Sequence, residues 1–427
     1  MKFQVAQGLL AFWLMLSCAF AQDSPSDPSA ITSVAAQEWR AYVDPLAPIG
    51  ERTVALMSNP EDPQLRQEAY SLLFMSLSAA YMGLLHADAE HPDFWPIFNQ
   101  AYNFWTPNPD DVYYSTPVDG NGIYKISGYR GTVRIVDFGI SGGTLVTRGS
   151  GGFDAVYANY DLDKLHINKK DGSFEVILSA ERPEGYKGNW WKLDHKSTYL
   201  LVRQIAYDWL HEVDGRFAIE RLDRPAIKPR PSAEKIAADL RQVAAWTENW
   251  TRMALQWPQN YRAKGLVNKV VVRDLNSIGG LSTQKYIEGL FEIGVDEALI
   301  YETEVPTQCR YWGIELNDMR WSAIDITNRQ SNLNGYTARL DKDGKFRAVI
   351  AATDPGVPNW LDSAGYASGV MFGRWTECSS SPTPTVTKVK LADVRHYLPA
   401  DTPMVTAEAR DAAIRLRRKG AQLRRRW

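Results

Sequence analysis

The chain has 427 residues, of which 44% are hydrophobic and 23% charged, and its formal net charge is −2. This length allows two or three domains, and the composition is that of a soluble globular protein rather than a disordered or fibrous one. The nearly neutral charge gives no reason to expect a nucleic-acid partner. The 15 Trp and 20 Tyr favour a large aromatic core and surfaces suited to sugars or ring compounds.

The first 21 residues have the pattern of a secretory signal peptide. Lys2 is the only charge, an apolar run extends from Leu9 to Leu16, and Ala19-Phe20-Ala21 is a small-x-small cleavage site. We therefore predict a periplasmic or secreted protein that is cleaved after Ala21 and has no transmembrane segment in the mature chain. Lipidation through Cys18 and a retained anchor are the less favoured alternatives.

Residues 22–107 are predicted to form an N-terminal helical segment. A short helix is expected near Ser33–Val43 and a longer one from about Gln64 to His86. The stretch Ala69–Leu85 contains no charge, but it is slightly short for a membrane span and contains three serines. We therefore expect the longer helix to be buried against the protein body.

A sequence pattern that occurs twice predicts the β architecture. Each copy has an Asp-Gly turn, an apolar strand, a proline loop that ends in Asn-Trp, and a strand that ends in arginine. Such a repeat indicates two related units, here two antiparallel β-sandwich halves at residues 108–230 and 259–405. We expect any pocket to lie between the halves or at one sandwich end. The matching residues are Asp171, Asn189, Trp190 and Arg203 in the first copy and Asp343, Asn359, Trp360 and Arg374 in the second.

Two further helices are predicted around the second half. Ser232 is a suitable N-cap for a helix that joins the halves, and Pro258 is expected to end it after Trp257, so residues 231–258 form the linking helix. Residues 406–427 are predicted to form a basic helix. Packing of its apolar side on the protein body is favoured, and contact with anionic lipid is the alternative.

Only Cys309 and Cys378 remain after removal of the signal peptide. An oxidising compartment would permit a disulfide between them, and two buried free thiols are the alternative. No CxxC pattern is present, so neither a redox pair nor a zinc knuckle is predicted.

Two motifs resemble those of a known family. One is Asn108–Tyr114 (NPDDVYY) followed by Gly122–Gly128 (GIYKISG), and the other is Asp354–Asp362 (DPGVPNWLD) with Gly365 and Arg374-Trp375. They are similar to the signatures of the domain of unknown function 1214 family, which often occurs with the related domain of unknown function 1254. The resemblance implies a mainly β fold with jelly-roll-like sheets in bacterial exported or envelope proteins. It implies no catalytic residue.

The loop Asp354–Asp362 is the strongest local candidate for a site. Asp354 and Asp362 are candidate acid and base groups, Arg374 would hold an anionic group, and His195 is a separate acid or base candidate. Because Asn359, Trp360 and Arg374 have counterparts in the first copy, a scaffold role is the favoured alternative. The candidate ligand-binding residues are Trp360, Asn359, Arg374, Tyr366, Tyr113 and Asp111.

No motif identifies a reaction. The chain lacks a Gly-x-Ser-x-Gly elbow, a P-loop and a dinucleotide fingerprint, and its histidines lack metal-ligand spacing, so no metal or cofactor is predicted. The favoured function is binding of a glycan or a small apolar or aromatic ligand. The alternative is an envelope hydrolase or lyase that uses carboxylate and arginine chemistry. Whether the chain is an enzyme, a structural envelope component or a homo-oligomer stays open at this point.

Overall fold

A computed structural model describes residues 28–143 and 156–424. The predicted signal peptide and the last arginines of the basic tail lie outside the described residues. The α-helices are α1 (Pro28–Val43), α2 (Ile49–Ala55), α3 (Pro63–Tyr81), α4 (Ala233–Ala263) and α5 (Ala407–Leu423). The strands of the first half are β1 (Trp95–Ile97), β2 (Asp111–Pro117), β3 (Tyr124–Tyr129), β4 (Ile135–Gly142), β5 (Val156–Asp161), β6 (Ser173–Ser179), β7 (Trp190–Lys192), β8 (Ser197–Ile205) and β9 (Arg216–Arg221). The strands of the second half are β10 (Lys269–Arg273), β11 (Gln284–Glu292), β12 (Glu297–Glu304), β13 (Cys309–Asn317), β14 (Asn332–Asn334), β15 (Lys345–Ala351), β16 (Trp360–Asp362), β17 (Ser368–Cys378) and β18 (Thr385–Lys390).

Each half is a sandwich of a five-stranded and a four-stranded sheet, as the repeat predicts. The strand orders are β1-β2-β8-β4-β5 and β7-β6-β3-β9 in the first half. They are β10-β11-β17-β13-β14 and β16-β15-β12-β18 in the second. Paired strands are antiparallel except for β6 with β7 and β15 with β16, which are parallel. The two halves are therefore equivalent strand by strand, which confirms the mainly β fold with two repeated halves.

Alternating apolar residues hold each sandwich together. In the first half, Phe138 and Val202 of the five-stranded sheet pack on Ile126 and Val176 of the four-stranded sheet. In the second half, Ile314 and its neighbours pack on the facing sheet in the same way. Because strand side chains alternate between the two faces of a sheet, every second residue of these strands is left to face the other half or the solvent.

A third core joins the halves to the helices. Trp246 and Trp250 of α4 stack with their rings 4.8 Å apart. They belong to the same buried cluster as Tyr199 of β8 and Tyr286 and Phe372 of the second half. The outer faces of the two five-stranded sheets are therefore covered by α4 and by each other.

Helix α3 is less buried than the sequence predicts. It continues into a π-helical turn, Met82–His86, and the combined helix is long and apolar enough to cross a membrane by length and composition alone. One third of its most apolar stretch is buried (33%). Phe74 and Tyr81 are 68% and 58% exposed, because only one side of the helix packs on α4 and the β halves.

Helix α4 begins as predicted but does not end at Pro258. The Ser232 hydroxyl accepts a hydrogen bond from Lys235 N–H at 3.2 Å, and the helix continues through Pro258 to Ala263. The prediction that proline ends the helix was wrong because tertiary contacts hold its last turn. The Tyr261 hydroxyl donates to Glu288 of β11 at 2.9 Å, which anchors that turn in the core between the halves.

Helix α5 bridges the two halves. Arg410 Nε donates to Asp354 of the second half at 2.9 Å, and Arg424 Nε donates to Asp214 of the first half at 3.1 Å. Between them, the Arg417 guanidinium lies 4.6 Å from the centre of the Trp209 ring. These described arginines pack on the protein body rather than extending into solvent.

The two cysteines face each other on neighbouring strands. Cys309 of β13 is opposite Cys378 of β17 in the register of the sheet. Their sulfur atoms are at disulfide-bonding distance, and their sequence separation is 69 residues.

Candidate functional site

A cavity of about 120 Å³ lies between the two five-stranded sheets. Its walls come from β2 and β8 of the first half, β11 and β17 of the second half, and α4. Its volume is in the range of buried cavities that hold a single small ring compound. The cavity therefore occupies one of the two places where the repeat predicts a pocket.

Two repeat-related arginine–tyrosine pairs line the cavity. Arg203 of β8 is opposite Tyr113 of β2, and Arg374 of β17 is opposite Tyr286 of β11. Both guanidiniums are buried, at 9% and 5% exposure. The same strand positions in the two halves thus bring the same two side chains to one cavity.

Each arginine is anchored on the other half. Arg374 Nη2 donates to the Thr106 carbonyl at 2.8 Å, and Arg203 Nη2 donates to the Gly279 carbonyl at 2.9 Å. Thr106 and Gly279 each precede the tyrosine of their own half by seven residues, and both have positive φ, 52° and 95°. Reciprocal contacts of this kind are the signature of a two-fold arrangement, so the cavity lies where the two repeats meet.

The two tyrosine hydroxyls are held in the same way. Asn108 N–H donates to Tyr113 Oη at 3.1 Å, and Leu281 N–H donates to Tyr286 Oη at 2.8 Å. Each backbone donor lies five residues before its tyrosine. Because a phenol both accepts and donates, this bond fixes the oxygen and leaves the hydroxyl hydrogen to donate.

The acidic groups break the symmetry of the cavity. Asp111 of β2 lies at the position that Gln284 has in β11, two residues before the tyrosine in each case. The Asp111 carboxylate accepts a hydrogen bond from Gln204 N–H. Arg374 donates to Glu315 at 2.8 Å, whereas Arg203 lies 3.5 Å from Asp137. Besides Asp111, each arginine thus has its own nearby carboxylate, and these two carboxylates come from different strand positions.

Burial makes these carboxyl groups easy to protonate. Loss of solvent raises the pKa of Asp111 to about 7, although Arg203 opposes the shift. The same cause raises the pKa of Asp137 to about 6. It raises the pKa of Glu315 to about 8, an effect that Arg374 only partly offsets. Since a guanidinium stays charged at any physiological pH, the cavity is more positive near neutral pH than a count of its ionisable residues indicates.

Several buried donors at the cavity have no hydrogen-bond acceptor within the described part of the chain. They include Arg203 Nη1, the Trp321 indole N–H and the Asn108 amide, and all three residues line the cavity. A buried donor that lacks a partner costs about 1–3 kcal/mol. An acceptor in the cavity would remove this cost.

Aromatic rings form the remaining walls. Trp257 and Trp321 stack at 4.8 Å with an angle of 12° between their planes. Phe98 meets Tyr113 edge to face at 5.5 Å, and the Arg374 guanidinium lies 4.9 Å from the centre of the Phe372 ring. The charged groups are thus set among flat apolar surfaces.

Backbone strain is concentrated around the cavity. Among the described residues other than glycine, seven have positive φ, and four of these line the cavity. Such conformations cost about 1–3 kcal/mol each and occur preferentially at functional sites. The four residues are Phe98, Trp105, Thr106 and Trp321.

The cavity brings together three of the six predicted ligand-binding residues, Asp111, Tyr113 and Arg374. A fourth, Tyr366, lies in a separate cavity of about 700 Å³ between the N-terminal helices and the second half. There its hydroxyl donates to Glu68 at 3.1 Å and accepts from Arg320 at 3.2 Å.

Asn359 and Trp360 bind their own sheet. The Asn359 amide donates to the carbonyls of Arg339 and Arg347 at 2.6 and 2.8 Å. The Trp360 indole donates to the Ala351 carbonyl at 3.0 Å. The equivalent Asn189 also donates to two backbone carbonyls, so these repeated residues hold the loop before each parallel strand.

The three predicted catalytic candidates are not brought together. Asp354 is paired with Arg410 at 2.9 Å, and Asp362 is paired with Arg329 at 2.9 Å. His195 is exposed and bonds to Asn121 at 2.9 Å. Within the described ranges, no group of three or more His, Cys, Asp or Glu side chains is placed to hold a metal ion.

Sequence reasoning did not identify Tyr286, Gln284 or the Gly279 carbonyl, and it noted Arg203 only as the counterpart of Arg374. The repeat contains the missing signal. Tyr286 pairs with Arg374 across neighbouring strands as Tyr113 pairs with Arg203. The sequences around the two tyrosines share too few residues to show this equivalence without the sheet register.

The fold and the cavity define a class of protein, a duplicated β-sandwich with a buried cationic and aromatic site between its two copies. The model of the family described as "Protein of unknown function (DUF1214)" matches residues 154–207 and 298–371. These two segments are similar to that family, which confirms the resemblance, and of the two motifs Asp354–Asp362 lies within the matched residues.

A solved structure from a bacterium has the same fold. A crystal structure of an uncharacterised protein from Burkholderia cenocepacia is 29% identical, with a TM-score of 0.77 over 85% of this chain and 99% of that chain. The VPA0106 protein from Vibrio parahaemolyticus is 14% identical, with a TM-score of 0.44 over 79% of this chain and 100% of that chain. No curated protein matches the sequence.

Proposed function

We propose that this protein binds a small organic acid with a flat apolar body in the cavity between its halves. The observation that supports this most directly is the convergence of Arg203 and Arg374 on one cavity. Arginine is the side chain best suited to hold a carboxylate, because its planar donors match the two oxygens.

The electrostatics favour an anion. A buried charge is costly unless it is compensated, and the carboxylates that compensate the two guanidiniums are themselves made easier to protonate by burial. An incoming carboxylate would supply the missing negative charge. It would also offer acceptors to Arg203 Nη1 and the Trp321 indole.

The walls favour a ring compound over a sugar chain. Stacked and edge-on aromatic rings present flat apolar surface on which another ring packs well. A cavity of about 120 Å³ is smaller than the pockets of about 300–1,000 Å³ that hold larger ligands. Of the two ligand classes expected from the sequence, the small aromatic or apolar one therefore fits this site better than a glycan.

A thermal-shift screen with chemically matched pairs tests the proposal. Aromatic carboxylates should raise the melting temperature, whereas the corresponding neutral amides and a set of oligosaccharides should not. A ligand that binds only the folded state at 100 times its Kd adds about 2.7 kcal/mol of stability, which such a screen detects.

Paired variants locate the site. Arg374→Lys should abolish the shift because lysine lacks the planar fork. Arg221→Lys should keep it, because Arg221 is a buried ion-paired arginine outside the cavity. Should Arg374→Lys fail to fold, Tyr286→Phe provides a second test, because it removes one donor of the same cavity and should reduce the shift. Stabilisation by the amides as strongly as by the acids would contradict the proposal.

Catalysis is a second candidate, and one observation favours it. Asp111 lies in the cavity with a pKa of about 7, which is the range in which a carboxyl group acts as general acid or base at neutral pH. This observation supports Asp111 as the group that would carry the carboxylate and arginine chemistry of a hydrolase or lyase. Loss of turnover with retained ligand binding in Asp111→Asn would support this role, and unchanged turnover would exclude it.

A further inference from the structure

We propose that the ligand of this cavity has two anionic ends, as in a small aromatic dicarboxylic acid, with one end bound by the arginine and tyrosine of each half. This inference rests on the proposed function and specifies its ligand. It follows from the duplication of the donor set, which a ligand with a single carboxylate would use only in part.

In each half, the arginine has N–H donors that its protein contacts do not use. A guanidinium has five N–H donors. Arg374 uses Nη1 for Glu315 and Nη2 for the Thr106 carbonyl, and Arg203 uses Nη2 for the Gly279 carbonyl. Both side chains line the cavity, so each half keeps guanidinium donors for a ligand.

Each arginine forms a donor pair with the tyrosine beside it, so the cavity has two matched donor pairs. Tyr113 and Tyr286 lie beside Arg203 and Arg374 in the strand registers. Backbone N–H groups position both hydroxyl oxygens at about hydrogen-bond distance, 3.1 and 2.8 Å. An arginine with an adjacent phenol is a donor set for one carboxylate, and the cavity contains two such sets on opposite sheets.

The distance between the sheets indicates the size of the group that separates the two carboxylates of the ligand. Sheets that pack face to face are about 10 Å apart, and a single ring with a carboxylate on each side fills such a gap. The rings of Phe98, Trp257 and Trp321, which line the same cavity, would contact that body. A two-ended ring acid therefore satisfies the charged groups and the apolar walls together.

The two ends of the cavity differ in one residue, because the first half has Asp111 at the position where the second half has Gln284. A protonated Asp111 would donate to the ligand carboxylate in the first half, whereas the Gln284 amide would donate in the second half at any pH. We therefore expect a dicarboxylate to bind more weakly as the pH rises through the range in which Asp111 ionises.

Isothermal titration calorimetry with four probes tests the inference. They are phthalate, isophthalate and terephthalate, which differ in carboxylate spacing, and benzoate, which has one carboxylate. At least one dicarboxylate should bind tenfold or more tightly than benzoate. Tyr113→Phe and Tyr286→Phe should each weaken that dicarboxylate by roughly five- to tenfold, because each removes one donor to a charged group.

Tyr124→Phe is the matched control. Tyr124 is a buried tyrosine whose oxygen also accepts from a backbone N–H five residues earlier, that of Asp119 at 2.8 Å. It lies outside the cavity, so this variant should leave the affinity for every probe unchanged. Because this control also removes a buried tyrosine hydroxyl, a difference from the cavity variants reports the position of the hydroxyl rather than its loss.

Two results would overturn the inference while leaving the proposed function intact. One is equal affinity for benzoate and for all three dicarboxylates. The other is a dicarboxylate affinity that falls in only one of the two cavity variants, because a single donor pair would then hold the ligand. Absence of binding by all four acids would overturn the proposed function together with this inference.

Discussion

A glycine lies near each buried arginine on the neighbouring strand, and at Gly139 it leaves room for the guanidinium. A Cβ atom at Gly139 would lie 2.9 Å from Arg203 Nη1. Gly313, opposite Arg374 in the sheet register, would place a Cβ atom 2.6 Å from the Tyr311 hydroxyl. On the strand next to each arginine, a glycine and an acidic residue are two positions apart. Asp137 lies opposite Arg203 and precedes its glycine, whereas Glu315 follows the glycine that lies opposite Arg374. Both halves therefore have a buried arginine at the same strand position, but the acidic partner of the arginine lies at a different position in each half.

The pH dependence of stability reports on Asp111. Its folded-state pKa is raised from 3.8 to about 7, so the folded protein binds this proton more tightly than the unfolded chain. Between about pH 4 and pH 7 folding takes up a proton, and stability falls as the pH rises. Asp111→Asn removes this loss. Relative to the unmodified chain, the variant should gain about 2 to 3 kcal/mol of unfolding free energy between pH 5 and pH 8, measured by denaturant titration.

An exposed acid provides the control for that measurement. Asp401 is exposed, and Lys342 lowers the pKa of its carboxyl group, so Asp401→Asn should leave the slope between pH 5 and pH 8 unchanged. A difference between Asp111→Asn and the unmodified chain that stays constant with pH would show that Asp111 does not titrate in this range.

At the scale of elements, Asn359 and Asn189 each fasten a loop to the strand that follows. Asn359 is buried and makes three hydrogen bonds, accepting from Arg339 N–H and donating to the carbonyls of Arg339 and Arg347. We expect Asn359→Ala to lower the free energy of unfolding by about 3 kcal/mol and the half-buried Asn189→Ala by less. Denaturant unfolding checks both variants. An Asn359→Ala protein of normal stability that has lost its ligand would instead assign the loop to binding.

The paired cysteines should contribute to stability through the 69-residue separation that they close. In the chain-entropy account a disulfide of this length adds about 4 kcal/mol. Reductant should therefore lower the unfolding free energy of the native chain by about this amount and should have no effect on a Cys309→Ser, Cys378→Ser double variant. Equal sensitivity of both proteins to reductant would show that the thiols are free.

The sequence was more informative about the halves than about the site. Repeated letters at Asn189, Asn359 and the two arginines were enough to predict two equivalent sandwiches and a pocket either between them or at one sandwich end. They did not separate the residues that hold loops from those that line the cavity, because both kinds recur for reasons of structure. The prediction that Pro258 ends α4 was wrong, and the burial of α3 was overestimated, for a related reason: contacts with distant segments decide where α4 ends and how far α3 is covered.

At the scale of the whole molecule, α5 joins the halves beside the cavity. Arg424 is buried and donates to the carbonyls of Asp110 and Gln204 at 2.7 and 2.8 Å, next to Asp111. We expect Arg424→Ala to cost about 3 to 5 kcal/mol, because it leaves Asp214 without its partner. Arg418→Ala on the exposed side of the same helix should change stability by less than about 0.5 kcal/mol. Equal effects of the two variants in thermal or denaturant unfolding would contradict a bridging role for α5.

The most direct test of the account is a crystal structure of the protein grown with an aromatic dicarboxylate. The account predicts electron density for the acid between the two five-stranded sheets, with one carboxylate at Arg203 and Tyr113 and the other at Arg374 and Tyr286. Density for the acid only at another place, such as the loop Asp354–Asp362, or a cavity that contains only water at saturating ligand, would contradict it.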